Sequence, residues 1–424
     1  MNQKFVLSIA VAAPAGGISL ILLLLPVHPI TDLWQPKSEP VLHDPRLALE
    51  LVAEGLDLPT SMRFLDDGTL LVLEKNSGQV RAVMDGKLLE EPITRVEVAT
   101  GPEQGLLGIA IWNGLNEGTS VFLYITEIYE GKTTNVVCRY AYNERERTLE
   151  NKTVILNLPA EPGPFHNGGK IAIGPDDGYM YAAIGDVSSG GGMLDNQISG
   201  RPANDRSVIL RVDRDTGTGA EDNPFYNYTG SMEKLRRYFA YGIRNSFGMG
   251  FDPITGKLWI TENGDHAHDE INTVEPGFNS GWHKIMGPIG RTNVTVQNDL
   301  VIFNGAKYAD PVFSWHTPVG VTDIEFLNST KLGEKYSNNI FIGDINNGNL
   351  YFFEVNEDRT GLSFHDPRLL DLVADPAEED ENSELSSLIF GEGFGGITDI
   401  ETGPDGLLYI LTYEDGKIYR IVKG

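Results

Sequence analysis

The chain has 424 residues, of which 48 are glycine and 22% are charged, and its formal net charge is −27. That length allows two or three ordinary domains or one large repeat fold. The composition is globular rather than disordered, and the acidic balance argues against a nucleic-acid partner, because a polyanion would be repelled over most of the surface.

From Phe5 to Val27 no residue is charged. A helix of that length, rising about 1.5 Å per residue, matches the roughly 30 Å hydrocarbon core of a bilayer. Residues 1–27 therefore read as a signal anchor or a removed signal peptide, with Ala13-Pro14-Ala15 as a small-residue cleavage sequence. Either outcome exports the remainder. The protein is expected to be extracytoplasmic, either membrane-anchored through this segment alone or secreted. Residues 28–46, polar and proline-bearing, read as a linker. Cys138 is the single cysteine, which excludes an internal disulfide.

Beyond the linker one phrase recurs: a glycine or asparagine, an alternating apolar run, a polar turn, then a second apolar strand. It begins at Asp67, Gly118, Gly178, Gly256, Asn338 and Gly406. Period-2 alternation with β-branched and aromatic residues predicts half-buried strands, and the Asp-Gly, Asn-Gly and Ser-Gly pairs suit tight hairpins. Six similar sheets that cannot stand alone predict an all-β chain, a six-bladed β-propeller of four-stranded antiparallel blades over residues 47–424. Two stacked β-sandwiches are the alternative. The strand pattern Leu47–Leu56 has no partner nearby in sequence and is expected to close the ring against the strands near Tyr409 and Tyr419.

Four segments carry residues suited to chemistry. Gly101-Pro102-Glu103-Gln104 opens a Gly-Leu-Leu-Gly run. His166-Asn167-Gly168-Gly169-Lys170 puts an imidazole, whose ordinary pKa lies near neutrality, on a turn ahead of a strand. It suits a general base, or a turn histidine bonded to a carbonyl. The two glycines would let a planar ligand approach the backbone closely. Arg244-Asn245 offers a rigid guanidinium fork for a carboxylate or quinone oxygen, or for loop carbonyls. The loop from Glu262 to Glu270 gathers oxygen donors around Gly264, with Asp265, Asp269 and Glu270 as candidate ligands of a hard cation such as Ca²⁺. His266 and His268 open a transition-metal alternative, and a plain solvated acidic loop is the third.

These segments together resemble the glucose/sorbosone dehydrogenase family, from about Leu47 to the C-terminus. The resemblance implies a six-bladed propeller that oxidises the C1 hydroxyl of aldose sugars with pyrroloquinoline quinone (PQQ) and Ca²⁺, passing electrons to an external acceptor. It implies His166 as the general base and Arg244 with Asn245 as contacts of the quinone carbonyls. It also implies the backbone carbonyls of Gly264 and Asp265 as calcium ligands, and Glu103 where glucose-oxidising members carry a cofactor-contacting glutamine. Three family cations that meet the cofactor carboxylates fall on Asn346, Gly396 and Thr398 here. Asn346 and Thr398 are accordingly uncharged candidates for cofactor contact. Phe165 stands where the family has an aspartate before the histidine. Two further readings stay open: a non-catalytic, calcium-stabilised propeller that binds a protein or glycan, and a lactonase-like hydrolase.

Overall fold

A computed structural model describes residues 39–114, 118–376 and 383–424 of the chain. The expected anchor (1–27) and most of the expected linker lie outside the described residues. Among the described residues no helix is long and apolar enough to cross a membrane.

The fold is an all-β propeller, and its strands group into six sheets. The sheets begin, in chain order, with the strands Pro59–Phe64, Leu106–Gly114, Ile171–Ile173, Gly248–Phe251, Val321–Phe326 and Ile397–Thr402. Each first strand touches the first strand of the next sheet, and Ile397–Thr402 returns to touch Pro59–Phe64, so the contacts form a closed cycle. Closure is completed by Leu47–Glu54, which pairs antiparallel with Lys417–Lys423 and sets Leu51 opposite Tyr419. The last sheet thus takes its outer strand from the N-terminal side of the propeller, as the orphan strand pattern predicts.

Burial follows from stacking. The second strands Leu70–Glu74, Met180–Ile184, Leu258–Glu262, Ile340–Asp344 and Leu408–Thr412 are buried at every position, where alternation predicts half-burial. Each lies mid-sheet between two neighbouring sheets, so both of its faces are covered. Apolar clusters fill these interfaces. Leu71, Leu73 and Val80 pack on Ile109, Val121 and Leu123 between the first two sheets. Met62, Leu70 and Val72 pack on Tyr409, Leu411 and Ile418 across the closure. Each such side chain contributes about 1.5–3 kcal/mol on burial.

The uniform four-stranded expectation is met only by the second and last sheets. Elsewhere long insertions fold back as short edge strands. Phe278–Asn279 and Lys307–Tyr308 add in parallel to the third sheet, and Val373–Ala374 adds to the fourth. Val41–Leu42, inside the stretch read as a linker, pairs with Gly391 and Glu392 in the fifth. The expected linker therefore overlaps the folded unit from Val41 onward. Such additions cover backbone groups that an edge strand would otherwise leave unpaired.

The first strands also carry a buried charge network. Lys170 Nζ lies 2.6 Å from Asp323 Oδ1 and 2.8 Å from Asp399 Oδ1. Asp399 Oδ2 accepts from Ser61 Oγ and the Met62 N–H. Arg63 pairs with Glu401, and Glu325 accepts from Thr402. Four carboxyls thus face two cations. Burial, reinforced by Glu325 and Asp399 against the pull of Arg63, pushes the Glu401 carboxyl up from 4.5 to about 8. The folded chain keeps that proton where the unfolded chain has released it, so this contribution to stability is complete below about pH 4.5 and lost as pH rises through about 8. Calorimetric melting temperatures are accordingly expected to fall between pH 6 and pH 9, and Glu401→Gln to flatten that fall. Equal slopes in both proteins would contradict this reading.

Candidate active site

His166 lies in the connection from the second sheet to the third, between the strands Thr148–Pro159 and Ile171–Ile173. Its backbone is left-handed (φ 60°), a conformation uncommon for a residue with a β-carbon. Two hydrogen bonds hold it there: its N–H donates to Glu103 Oε2 at 2.6 Å, and its carbonyl accepts from the Val187 N–H at 3.2 Å. The ring is directed by Asp186, whose Oδ1 lies 2.6 Å from Nδ1. A carboxylate accepts, so Nδ1 carries the proton and Nε2 keeps its lone pair. Asp186 also accepts from the Ser188 N–H at 2.8 Å and from Trp282 Nε1 at 3.0 Å. Burial pushes its carboxyl up, but the hydrogen bonds from His166, the Ser188 N–H and Trp282 Nε1 outweigh it, leaving the net direction downward.

Arg244 lies in the next connection, between Tyr238–Tyr241 and Gly248–Phe251. Nη1 donates to the Asn263 carbonyl at 3.0 Å and Nη2 to Asp265 Oδ1 at 3.3 Å. The guanidinium carbon sits 5.3 Å from the centre of the Trp282 ring. Nε is buried and has no hydrogen-bond partner among the described residues. An orphaned buried donor on a cation is costly, which marks a position where a ligand acceptor would be stabilising. The Arg244 carbonyl accepts from the Asp186 N–H at 3.0 Å, so one residue joins the histidine and the arginine. Asn245 is committed on both sides: Oδ1 accepts from Gly168 N–H at 3.2 Å and Nδ2 donates to Glu103 Oε2 at 3.0 Å. Glu103 therefore ties its own segment to those of His166 and Asn245, three of the four read as suited to chemistry.

A cavity of about 240 Å³ adjoins this network, walled by residues that include Lys75, Glu103, Gly168, Gly169, Lys170, Phe247, Thr398 and Tyr413. His166 and Arg244 stand beside it and are not among the residues of its wall. Gly168 and Gly169 do line it, but their missing β-carbons serve packing. A β-carbon on Gly168 would lie 2.5 Å from the Ala183 carbonyl oxygen, and one on Gly169 would lie 2.7 Å from Leu107 Cβ. Thr398 lines the cavity and donates to the Pro59 carbonyl. Asn346 is exposed at its turn. Gly396, at φ 87°, would bring a β-carbon to 3.0 Å from the Ile345 carbonyl oxygen, so this backbone does not accommodate the arginine that the family alignment puts there.

In the loop read as a metal site, the two carboxyls Asp269 and Glu270 are held by backbone and side-chain donors. Asp269 Oδ1 accepts from Gly264 N–H, and Oδ2 accepts from the N–H groups of Val319, Gly320 and Val321. Glu270 accepts from Gly287 N–H and Asn272 Nδ2, and burial pushes its carboxyl up to about 7. Both carboxyls anchor loops through these bonds. The Gly264 and Asp265 carbonyls accept no hydrogen bond among the described residues. His266 has a side chain 93% exposed, while His268 is buried against His316 and pushed down to about 4, so the two imidazoles do not converge. Among the described residues no three His, Cys, Asp or Glu side chains are grouped for a metal.

Asp186 and Trp282 are the functional candidates that sequence reading missed. Gly185-Asp186 at the end of the MYAAI strand carried the only local signal.

Comparison with known proteins fits this geometry. A family model described as Glucose / Sorbosone dehydrogenase matches residues 56–420. The chain is 25% identical over 381 residues to an aldose sugar dehydrogenase of Escherichia coli, covering 88% of this chain and 92% of that one. It is 27% identical over 263 residues to quinoprotein glucose dehydrogenase B of Acinetobacter calcoaceticus, covering 56% and 52%. A solved structure from Thermus thermophilus, titled an oxidoreductase (glucose dehydrogenase), superimposes with a TM-score of 0.68 at 26% identity, covering 89% of this chain and all of that one.

Proposed function

Because the chain belongs to the glucose/sorbosone dehydrogenase family, we propose that it is a sugar oxidoreductase that removes hydride from the C1 hydroxyl carbon of an aldose, with PQQ and Ca²⁺ as its cofactors. The observation that carries this reading is the single network in which Asp186 directs His166 and adjoins Arg244, whose buried Nε lacks an acceptor. The quinone, when bound, supplies the two-electron acceptor. Everything else falls to the chain. His166 Nε2 takes the sugar hydroxyl proton, and Asp186 holds the ring and stabilises the imidazolium that results. Arg244 presents a fixed positive charge to an electron-rich oxygen, and that charge gains effect from its partly desolvated setting. The free carbonyls of Gly264 and Asp265 would hold the calcium ion, because hard cations take backbone oxygens readily.

We also read the propeller as six-bladed. Six sheets and the closed cycle of first-strand contacts support that count. An experimental map viewed along the channel with five or seven radial sheets would overturn it.

A second reading, a binding propeller without redox chemistry, is favoured by the uncharged Asn346, Gly396 and Thr398. Arg244→Ala separates the two. In an enzyme it should weaken quinone binding and slow sugar-dependent dye reduction together, by about 10- to 1000-fold in rate. Unchanged values in both measurements would rule out the role given to Arg244.

A further inference from the structure

Lys75 follows directly after Leu70–Glu74, the second strand of the first sheet, and is buried at 6% exposure in the wall of the cavity. Its ammonium donates to the Gly101 carbonyl at 2.6 Å and to Asn76 Oδ1 at 3.0 Å. Both acceptors are neutral, and an ammonium has three donors, so one remains unspent. The other cation in that wall, Lys170, is neutralised by Asp323 and Asp399. Arg244 pairs with Asp265, and Arg291 with Asp371 and Asp375, while Lys284 and Lys307 are exposed. Among the described residues, Lys75 is the cavity cation with no carboxylate in ion-pair contact. Burial therefore lowers its pKa, with Glu103 only partly opposing the effect from a distance. A buried, unpaired charge is unfavourable unless something anionic completes it. Thr398 Oγ1 and Tyr413 share the same wall and add polar groups beside it.

We infer that Lys75 is the cationic anchor of this cavity and binds a carboxylate of its ligand, in place of the charges missing at Asn346, Gly396 and Thr398. The inference rests on the quinone reading above for the identity of the ligand, and on the cavity geometry alone for its charge. A planar polycarboxylate would set one carboxylate on Lys75 Nζ, with Glu103 holding the loops that frame the wall. The cation enters from a different segment than the family pattern uses, while a side chain at Gly396 would be strained and would crowd the Ile345 carbonyl.

Binding to the full chain tests this directly, by titrating PQQ with excess Ca²⁺ and following the absorbance of the bound quinone. A parallel arm uses pyridine-2,4,6-tricarboxylate, followed by thermal shift. Lys75→Gln can keep the bond to the Gly101 carbonyl and should weaken both ligands by about 10- to 100-fold, the worth of one charge-assisted contact. Lys75→Arg should stay within about threefold of wild type, since it keeps the charge. Lys75→Met replaces the glutamine variant if that protein does not fold, as judged by its melting curve. Equal affinity of the wild-type and neutral variants for both ligands overturns the inference. Tricarboxylate binding that depends on Lys75, without any quinone binding, upholds the anchor and removes the quinone reading. If the wild type binds neither ligand, the anchor itself is wrong.

Discussion

His166→Ala is expected to lower the rate of sugar oxidation by about 10²- to 10⁴-fold, the usual worth of a positioned general base. Quinone affinity should change little. The imidazole is tied to Asp186 rather than to the cavity wall, and the backbone N–H that bonds Glu103 survives the substitution. Stopped-flow reduction of the quinone-loaded protein by an aldose, beside a cofactor titration, separates the two quantities. A rate within about threefold of wild type would remove His166 from the proton step.

A loss of similar size, about 10²- to 10⁴-fold, is expected for Asp186→Asn. The carboxylate makes three bonds as a pure acceptor: to His166 Nδ1, to the Ser188 N–H and to Trp282 Nε1. An asparagine in one orientation points its NH₂ at the indole N–H. In the other it donates to Nδ1, which moves the imidazole proton to Nε2 and leaves no lone pair for the sugar hydroxyl. Either orientation fails, for reasons of donor count rather than of size. The substitution also removes a charge that stabilises the imidazolium, so the acid limb of any remaining activity should move to lower pH. An unchanged pH profile with an unchanged rate would leave Asp186 a merely structural residue.

Much of this fold was legible because the repeated phrase encodes hairpins directly. The orphan pattern at Leu47 could be assigned because a ring has one open edge, and Lys417–Lys423 takes it. Less legible were the edge strands. Two-residue pieces such as Phe278–Asn279 have no periodicity to read and form only because an insertion falls beside an open edge. At the site, Glu103, His166, Arg244 and Asn245 announced themselves by residue type and motif, and the fold brings them into one hydrogen-bonded network. Asp186 did not, since its role depends on a contact across twenty residues that include the hairpin of Ile171–Ile173 and Met180–Ile184. For Asp269 and Glu270 the sequence is silent on the hydrogen bonds they accept. Composition counts carboxylates, but only coordinates tell that four backbone N–H groups already occupy Asp269. Lys75 lies about ninety residues from the histidine motif, just after the strand Leu70–Glu74, whose pattern reads as packing alone.

The central claim is that this network serves a quinone-dependent sugar oxidation, and one measurement meets it most directly. The purified protein, loaded with PQQ and Ca²⁺ and freed of excess cofactor, is mixed with a panel of aldoses while the quinone spectrum is recorded. The account predicts a protein-bound quinone spectrum that at least one aldose converts to the reduced form, and a conversion about 10²- to 10⁴-fold slower in His166→Ala. If saturating PQQ and Ca²⁺ leave no bound quinone, or if bound quinone stays oxidised with every aldose, the oxidoreductase reading is contradicted and the binding propeller takes its place.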